Sequence, residues 1–172
     1  MRYLLLDRIT ELQPGAYAVG RKCVAMTEDY FTDHFPGFPV VPGVLIVEAM
    51  AQLAGRLITY SVAASDGEAA GPVLPVLLTV TNARFRRFVR PGDTMEIRAD
   101  LIALTEGAGR CKCAARVGET LVATAELMLG YDTGAVTGTG TSVIPAAARE
   151  ELARWAEQVN RNLLGDLVVT RP

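Results

Sequence analysis

Residues 34–48 read HFPGFPVVPGVLIVE, which joins a proline-rich loop to the start of an apolar run. The three prolines of this stretch each fix a backbone angle, so the loop should be stiff. The stretch begins with His34, the single histidine of the chain, and ends with Glu48, a carboxylate among apolar residues. A rigid loop that holds an imidazole close in sequence to such a carboxyl group indicates general acid–base chemistry.

The run that continues from Gly43 to residue 64 is apolar enough for a buried helix and long enough to raise the question of a membrane span. Glu48, Gln52 and Arg56 argue against a span, because residues four apart lie on one helical face. The pattern therefore predicts a core helix with a single polar stripe. Burial of the Glu48 carboxyl group would favour a role as proton donor.

Taken singly, each of the two residues also has an ordinary structural explanation. Glu48 would pair locally near the start of the helix, and His34 would be a loop histidine packed on Phe35. The chemical interpretation depends on the two residues occurring together in one motif.

The stretch 34–55, HFPGFPVVPGVLIVEAMAQLAG, closely resembles the signature HFPGxPxMPGVLxxEAxAQxxG of the FabZ-type 3-hydroxyacyl-acyl carrier protein dehydratases. Val41 stands where that signature has methionine. Residues 3–15 and 82–97 resemble further segments of the same family, and the likeness ends near Tyr131. The segment that usually precedes position 3 in the family is absent from this sequence.

The resemblance implies a hotdog fold, an α+β architecture in which a long antiparallel sheet wraps around one central helix. Local patterns agree, because alternating polar and apolar runs are separated by turn residues. The predicted strands are residues 4–9, 16–26, 77–85, 94–105, 110–117 and 120–131.

The resemblance also implies the roles of the site residues. His34 would be the base that removes the C2 proton, and Glu48 the acid that protonates the departing C3 hydroxyl group. The amide of Gly43 at the helix start would polarise the thioester carbonyl, and Gln52 would orient Glu48. In the family the two catalytic residues come from opposite subunits, which implies a dimer. No cofactor or metal is expected.

The implied partner is an acyl carrier protein, which is acidic and carries the substrate on a phosphopantetheine arm. Arg84, Arg86, Arg87 and Arg90 form a compact basic cluster that would steer such a partner. A solvated strand end explains the same cluster equally well. The formal charge of −2 gives no electrostatic reason to bind nucleic acid.

The expected organisation is a hotdog domain over residues 1–131, a Gly/Thr-rich linker over 132–145, and an amphipathic helix with a tail over 146–172. The helix should fold back on its own sheet or dock on another subunit. This extension and the shortened start favour a specialised polyketide-like or unusual fatty-acid pathway.

Three cysteines, Cys23, Cys111 and Cys113, show no metal-binding spacing, and their odd number suggests reduced thiols in a cytoplasmic protein. Cys111 and Cys113 would share one strand face. The apolar start of the chain is too short for a signal peptide.

Two other functions share the predicted fold: an acyl thioesterase, and a non-catalytic subunit that binds acyl thioesters. Neither needs the His34 and Glu48 pair. Since the isomerising branch of the family usually has aspartate at the acid position, Glu48 favours simple dehydration. Phenylalanines would line an acyl tunnel or pack the core, namely Phe31, Phe35, Phe38, Phe85 and Phe88. The acyl chain length and any assembly beyond the dimer, including a trimer of dimers or a heteromer, stay open.

Overall fold

A computed structural model describes residues 3–66, 73–131, 146–165 and 167 of the chain. The elements are β1 (Arg8–Gln13), β2 (Tyr17–Cys23), a 3₁₀ helix (Asp29–Thr32), α1 (Gly43–Asp66), β3 (Val76–Phe85), β4 (Thr94–Thr105), β5 (Ala108–Val117), β6 (Thr120–Gly130) and α2 (Ala146–Leu164). The predicted linker over 132–145 lies outside the described residues.

The six strands form one antiparallel sheet in the order β1-β2-β4-β5-β6-β3. Helix α1 contacts every one of these strands, so the sheet wraps around it. Residues of β4 alternate between buried and exposed at the start of the strand, as expected for a sheet with one face on the core. The predicted α+β hotdog fold is confirmed.

The core lies between α1 and the concave face of the sheet. Leu53, Leu57 and Ile58 of α1 are fully buried against this face, and burying such a side chain contributes roughly 1.5–3 kcal/mol. A β-carbon at Gly109 of β5 would lie 2.6 Å from Cδ1 of Ile58. Glycine at this position therefore lets the sheet approach the helix closely.

Helix α1 is the one element among the described residues that is long and apolar enough to cross a membrane by length and composition. Half of its apolar window is buried inside the protein. The sheet surrounds this helix, as expected for the core helix of a globular domain.

The first strand was predicted four residues too early. Residues 4–9 were expected to form it, but β1 begins at Arg8 and ends at Gln13. The segment before β1 is held by a side chain instead: the amide of Leu5 donates to Oε1 of Gln52 at 2.9 Å. Leu5 and Leu6 are buried, so this segment has the same run of apolar residues as a buried strand. The other five predicted strands overlap β2 to β6, and residues 94–105 match β4.

Strands β1 and β3 form the two edges of the sheet. All ten residues of β3 are exposed, although the strand pairs with β6 along one side. The exposed set includes large apolar side chains, namely Val76, Leu77, Leu78, Val80 and Phe85. An edge of this kind offers unpaired backbone groups and apolar surface to another chain.

Helix α2 packs on its own chain against β1. Val159 and Leu163 are buried and belong to the same hydrophobic core as α1. Of the two placements considered from the sequence, the structure shows this helix against its own sheet. Its separation from a domain over 1–131 stays a prediction.

Candidate active site

The loop that carries His34 is closed by its own backbone. The amide of His34 donates to the carbonyl of Tyr30 at 3.0 Å, and the carbonyl of His34 accepts from the amide of Val40 at 3.3 Å. The imidazole packs on the ring of Phe35, with ring centroids 4.1 Å apart. Its Nδ1 atom is buried and has no hydrogen-bond partner among the described residues. The backbone hydrogen bonds and the contact with Phe35 therefore fix the position of His34.

Gly43 begins α1 directly after Pro42. The amides of Leu45 and Ile46 both donate to the carbonyl of Pro42, at 2.9 and 3.3 Å. The amide of Gly43 lies in the first turn, where no carbonyl four residues back can accept from it within the helix. The positive end of the helix dipole lies at the same place. This amide is therefore suited to stabilise negative charge.

The backbone of Gly43 lies directly under an aromatic ring. A β-carbon at this position would lie 2.9 Å from Cε1 and Cζ of Phe85, at the end of β3. Any larger residue would push the ring away. Glycine thus permits the close packing of α1 on β3 next to the helix start.

Glu48 is held by a network of three hydrogen bonds that centre on Gln52. Nε2 of Gln52 donates to Oε1 of Glu48 at 3.0 Å and to the carbonyl of Tyr3 at 2.7 Å. Oε1 of Gln52 accepts from the amide of Leu5 at 2.9 Å. The backbone N–H of Leu5 can only donate, so it must face the amide oxygen of Gln52. The amide nitrogen of Gln52 therefore faces Glu48 and donates to it. Oε1 of Glu48 is therefore fixed by the protein, while Oε2 accepts no hydrogen bond from a described residue.

Glu48 lines a cavity of about 760 Å³ that α1 and α2 share with the ends of β3 and β6. Its walls are mixed: Leu77, Leu129 and Leu163 are apolar, while Gln52 supplies an amide. Neither His34 nor Gly43 lines this cavity, and no hydrogen bond among the described residues joins His34 to Glu48. One chain therefore does not bring the two predicted catalytic residues into this one cavity.

The four arginines of the basic cluster are exposed and form no ion pair with a described residue. The guanidinium of Arg90 lies over the ring of Phe38, 4.7 Å from its centroid. Phe38 also meets Phe88 edge to face at 5.6 Å, and the amide of Val41 donates to the carbonyl of Val89. The structure thus places this end of the cluster beside the loop of His34.

Sequence patterns did not reveal two groups that shape the site. The backbone of residues 3–5 anchors Gln52, which requires knowledge of the tertiary fold. Arg56 was recognised only as part of the polar stripe, yet it lines the Glu48 cavity together with Trp155 of α2. The regular spacing of polar residues in an apolar helix was the available signal. Of the five predicted tunnel phenylalanines, Phe31 is buried, the others are exposed, and none lines this cavity.

The cysteines lie away from the site. Cys111 and Cys113 are buried on the core face of β5, whereas Cys23 is exposed. Burial raises the pKa of the Cys111 thiol to about 12 and that of Cys113 further. All three are free thiols, and the described residues contain no cluster of three or more metal-binding side chains.

Comparison with known proteins identifies the relatives of this chain. The model of the FabA-like domain family matches residues 1–126. A "3-hydroxyacyl-[acyl-carrier-protein] dehydratase FabZ" from Chloroflexus aggregans is 46% identical over 127 residues, which cover 73% of this chain and 83% of that protein. The protein of the same name from Thioalkalivibrio sulfidiphilus is 43% identical over 126 residues, covering 73% and 85%.

A solved structure shares the fold at much lower identity. The dehydratase heterocomplex ApeI:P from Xenorhabdus doucetiae contains a chain that is 17% identical, with a TM-score of 0.59. The match covers 76% of this chain and 89% of that chain.

Proposed function

This chain belongs to the FabA-like family, and on that premise we propose that it dehydrates 3-hydroxyacyl thioesters of an acyl carrier protein to trans-2-enoyl thioesters. Relatives that bear the FabZ dehydratase name match 73% of the chain. The observation that carries the proposal is Glu48 at a cavity wall, fixed through one oxygen by Gln52. A carboxyl group held in this way can present its second oxygen to a substrate hydroxyl group.

The proposed reaction needs one base and one acid. A neutral imidazole of His34 removes the proton from C2, and the electrons form the C2–C3 double bond as the C3–O bond breaks. Glu48 gives its proton to the departing hydroxyl group, which leaves as water. The imidazolium and the carboxylate then exchange one proton through solvent, so that both groups return to their starting states.

Negative charge develops on the thioester oxygen when the C2 proton leaves. The amide of Gly43 is our candidate donor for this oxygen, since a helix N-terminus stabilises an anion without reorganisation. Gln52 keeps Glu48 in place and does not itself touch the reacting atoms. We call it a positioning residue.

We infer that the complete site forms between two copies of the chain. His34 does not line the cavity of Glu48, so one chain does not supply both residues to this cavity. The exposed apolar edge strand β3 provides a surface for a second copy. A further assembly into a trimer of dimers, or a non-identical partner subunit, stays a prediction.

For the carrier protein we propose a docking surface at Arg84, Arg86, Arg87 and Arg90. These exposed arginines have no ion pair with a described residue, and the Arg90 end borders the His34 loop. Cationic side chains near an active-site entrance would raise the association rate of an acidic carrier. Weakening of this effect by salt would be its signature.

We place the enzyme in the cytoplasm and in a specialised polyketide-like or unusual fatty-acid pathway. The free thiols agree with a reducing compartment, and α2 lies beyond the residues that the family model matches. Full activity on ordinary saturated substrates, together with rescue of a dehydratase-deficient strain, would contradict the specialised role.

The testing experiment measures enoyl thioester formation by mass spectrometry with a panel of 3-hydroxyacyl carrier-protein substrates. Loss of water that depends on both His34 and Glu48 is the expected result. Release of free thiol without enoyl product would instead identify a thioesterase. Binding of acylated carrier without either product would identify a non-catalytic partner subunit.

A further inference from the structure

The Glu48 cavity contains a cation that no described residue neutralises. Arg56 lines this cavity two helical turns beyond Glu48, which is about 12 Å along the axis of α1. It forms no ion pair with any described carboxylate. Burial lowers the pKa of its guanidinium, so that the charge is partly removed from water. A partly buried cation of this kind is stabilised when an anion binds beside it.

Trp155 of α2 holds this cation at the wall of the cavity. The guanidinium of Arg56 lies 5.8 Å from the centroid of the Trp155 ring, within the range of cation–π attraction. Gln158 and Asn162 of the same helix line the cavity nearby. Polar groups therefore surround the Arg56 end, and Trp155 is half exposed there, so solvent reaches this end of the cavity.

The cavity faces the part of the substrate that lies beyond the reacting carbons. In the proposed reaction Glu48 contacts the hydroxyl group on C3, whereas the thioester carbonyl lies at Gly43, which does not line this cavity. The acyl chain from C4 onward is thus the segment that the cavity receives. Leu77, Leu129 and Leu163 provide an apolar path for its methylene groups.

We propose that Arg56, with Trp155 beside it, recognises a carboxylate at the far end of the acyl chain, so that the preferred substrates are 3-hydroxyacyl thioesters with a terminal carboxylate. This inference rests on the proposed dehydratase function and adds the substrate class. Helix α2 supplies one wall of the recognition site. The separation of Glu48 from Arg56 suits a chain of medium length.

The test compares pairs of carrier-bound 3-hydroxyacyl substrates of equal length, one ending in a methyl group and the other in a carboxylate. We expect the wild-type protein to favour the carboxylate at the best length, and Arg56→Met to lower kcat/KM for that substrate by roughly ten- to a hundred-fold. In Arg56→Met, the kcat/KM for the methyl-terminated substrate should stay the same or rise. Arg56→Lys should retain part of the preference, and Arg154→Met, an exposed arginine on α2, should retain all of it.

A second measurement does not depend on catalysis. Trp155 is the single tryptophan of the chain, so its fluorescence reports binding next to Arg56. Saturated acyl-pantetheine thioesters without the 3-hydroxyl group cannot react, and we expect the carboxylate-terminated one to bind roughly ten-fold or more tightly than its methyl-terminated match. Arg56→Met should abolish the difference.

Three results would overturn the proposal. These are a wild-type preference for methyl ends at every length, equal losses on both substrates in Arg56→Met, and equal binding of both thioesters. Equal losses would indicate that Arg56 supports the fold or contacts the phosphate of the carrier arm. If no substrate is dehydrated but the fluorescence difference is present, the proposed reaction fails while carboxylate recognition stands.

Discussion

The two predicted catalytic residues are held in opposite ways. Glu48 lies within a side-chain network, in which Gln52 connects it to the backbone of Tyr3 and Leu5. The His34 side chain packs on Phe35 and makes no hydrogen bond with a described residue, whereas its backbone amide and carbonyl are both bonded. The fold of one chain thus holds the side chain of the proposed acid by hydrogen bonds and that of the proposed base by ring packing.

We propose that a second chain accounts for this difference. An acid that must present one oxygen to a hydroxyl group benefits from fixing the other oxygen within its own domain. In the proposed dimer, the base lies on a stiff loop beside the exposed Phe35 and Phe38 and would reach the Glu48 cavity of the other copy. Each copy would contribute one half of each site, as a two-fold dimer allows.

Removal of either catalytic group should have the largest effect. We expect His34→Ala and Glu48→Gln each to lower kcat for dehydration by about 10²–10⁴-fold, the usual contribution of a positioned acid or base. Steady-state enoyl formation measures the loss. The thermal unfolding temperature should change little for His34→Ala, because the imidazole makes no hydrogen bond with a described residue. A near-normal kcat in either variant would contradict the acid or base role of the residue that was replaced.

Removal of the Gln52 amide tests whether its hydrogen bond to Glu48 positions the proposed acid. We expect Gln52→Met to lower kcat roughly ten-fold, and to lower the free energy of unfolding by about 1–3 kcal/mol, since the Leu5 amide loses its acceptor. Activity assays and chemical denaturation measure the two effects.

Thr59→Val is the matched control for Gln52→Met. Thr59 lies on the same helix and bonds only to the carbonyl of Gly55, so this variant should keep its kcat. An unchanged kcat in a folded Gln52→Met protein would contradict the positioning role.

The next prediction concerns the His34 side of the comparison, where Arg90 borders the His34 loop. We expect Arg90→Met to raise KM for carrier-bound substrate by about ten-fold at low salt, while kcat and activity on a small pantetheine thioester persist. Arg110→Met, an exposed arginine on β5, serves as the control. Equal KM values for the two variants would show that Arg90 is not part of the surface that binds the carrier protein.

The smallest effect concerns the thiols. At pH 8 a thiol reagent should modify Cys23 alone and leave activity unchanged, because burial raises the pKa of Cys111 to about 12 and keeps it protonated. Its unfolded value is about 9, so the free energy of unfolding should fall as the pH rises from about 9 to about 12. Rapid modification of a buried thiol at pH 8 would show that β5 opens readily.

The motif over 34–55 was sufficient to predict the hotdog fold and the placement of Gly43 and Glu48 on the central helix. The anchoring of Gln52 by residues 3–5 could not be predicted. The Gln52 side chain bonds to the backbone of Tyr3 and Leu5, where a strand would bond to another strand, and such a contact leaves no periodic pattern in the sequence. Nor could the meeting of Arg56 with Trp155, which depends on how α2 returns to the domain. Local pattern fixes helices and strands, whereas contacts between residues distant in sequence depend on packing.

The most direct test of a site shared between two copies is to co-express His34→Ala and Glu48→Gln chains with different affinity tags and to assay the purified heterodimer. One of its two sites would then contain both intact residues and the other neither. We predict dehydration at roughly half the wild-type rate per dimer, while each variant alone stays inactive. A heterodimer without activity would contradict the shared site and return both residues to a single chain.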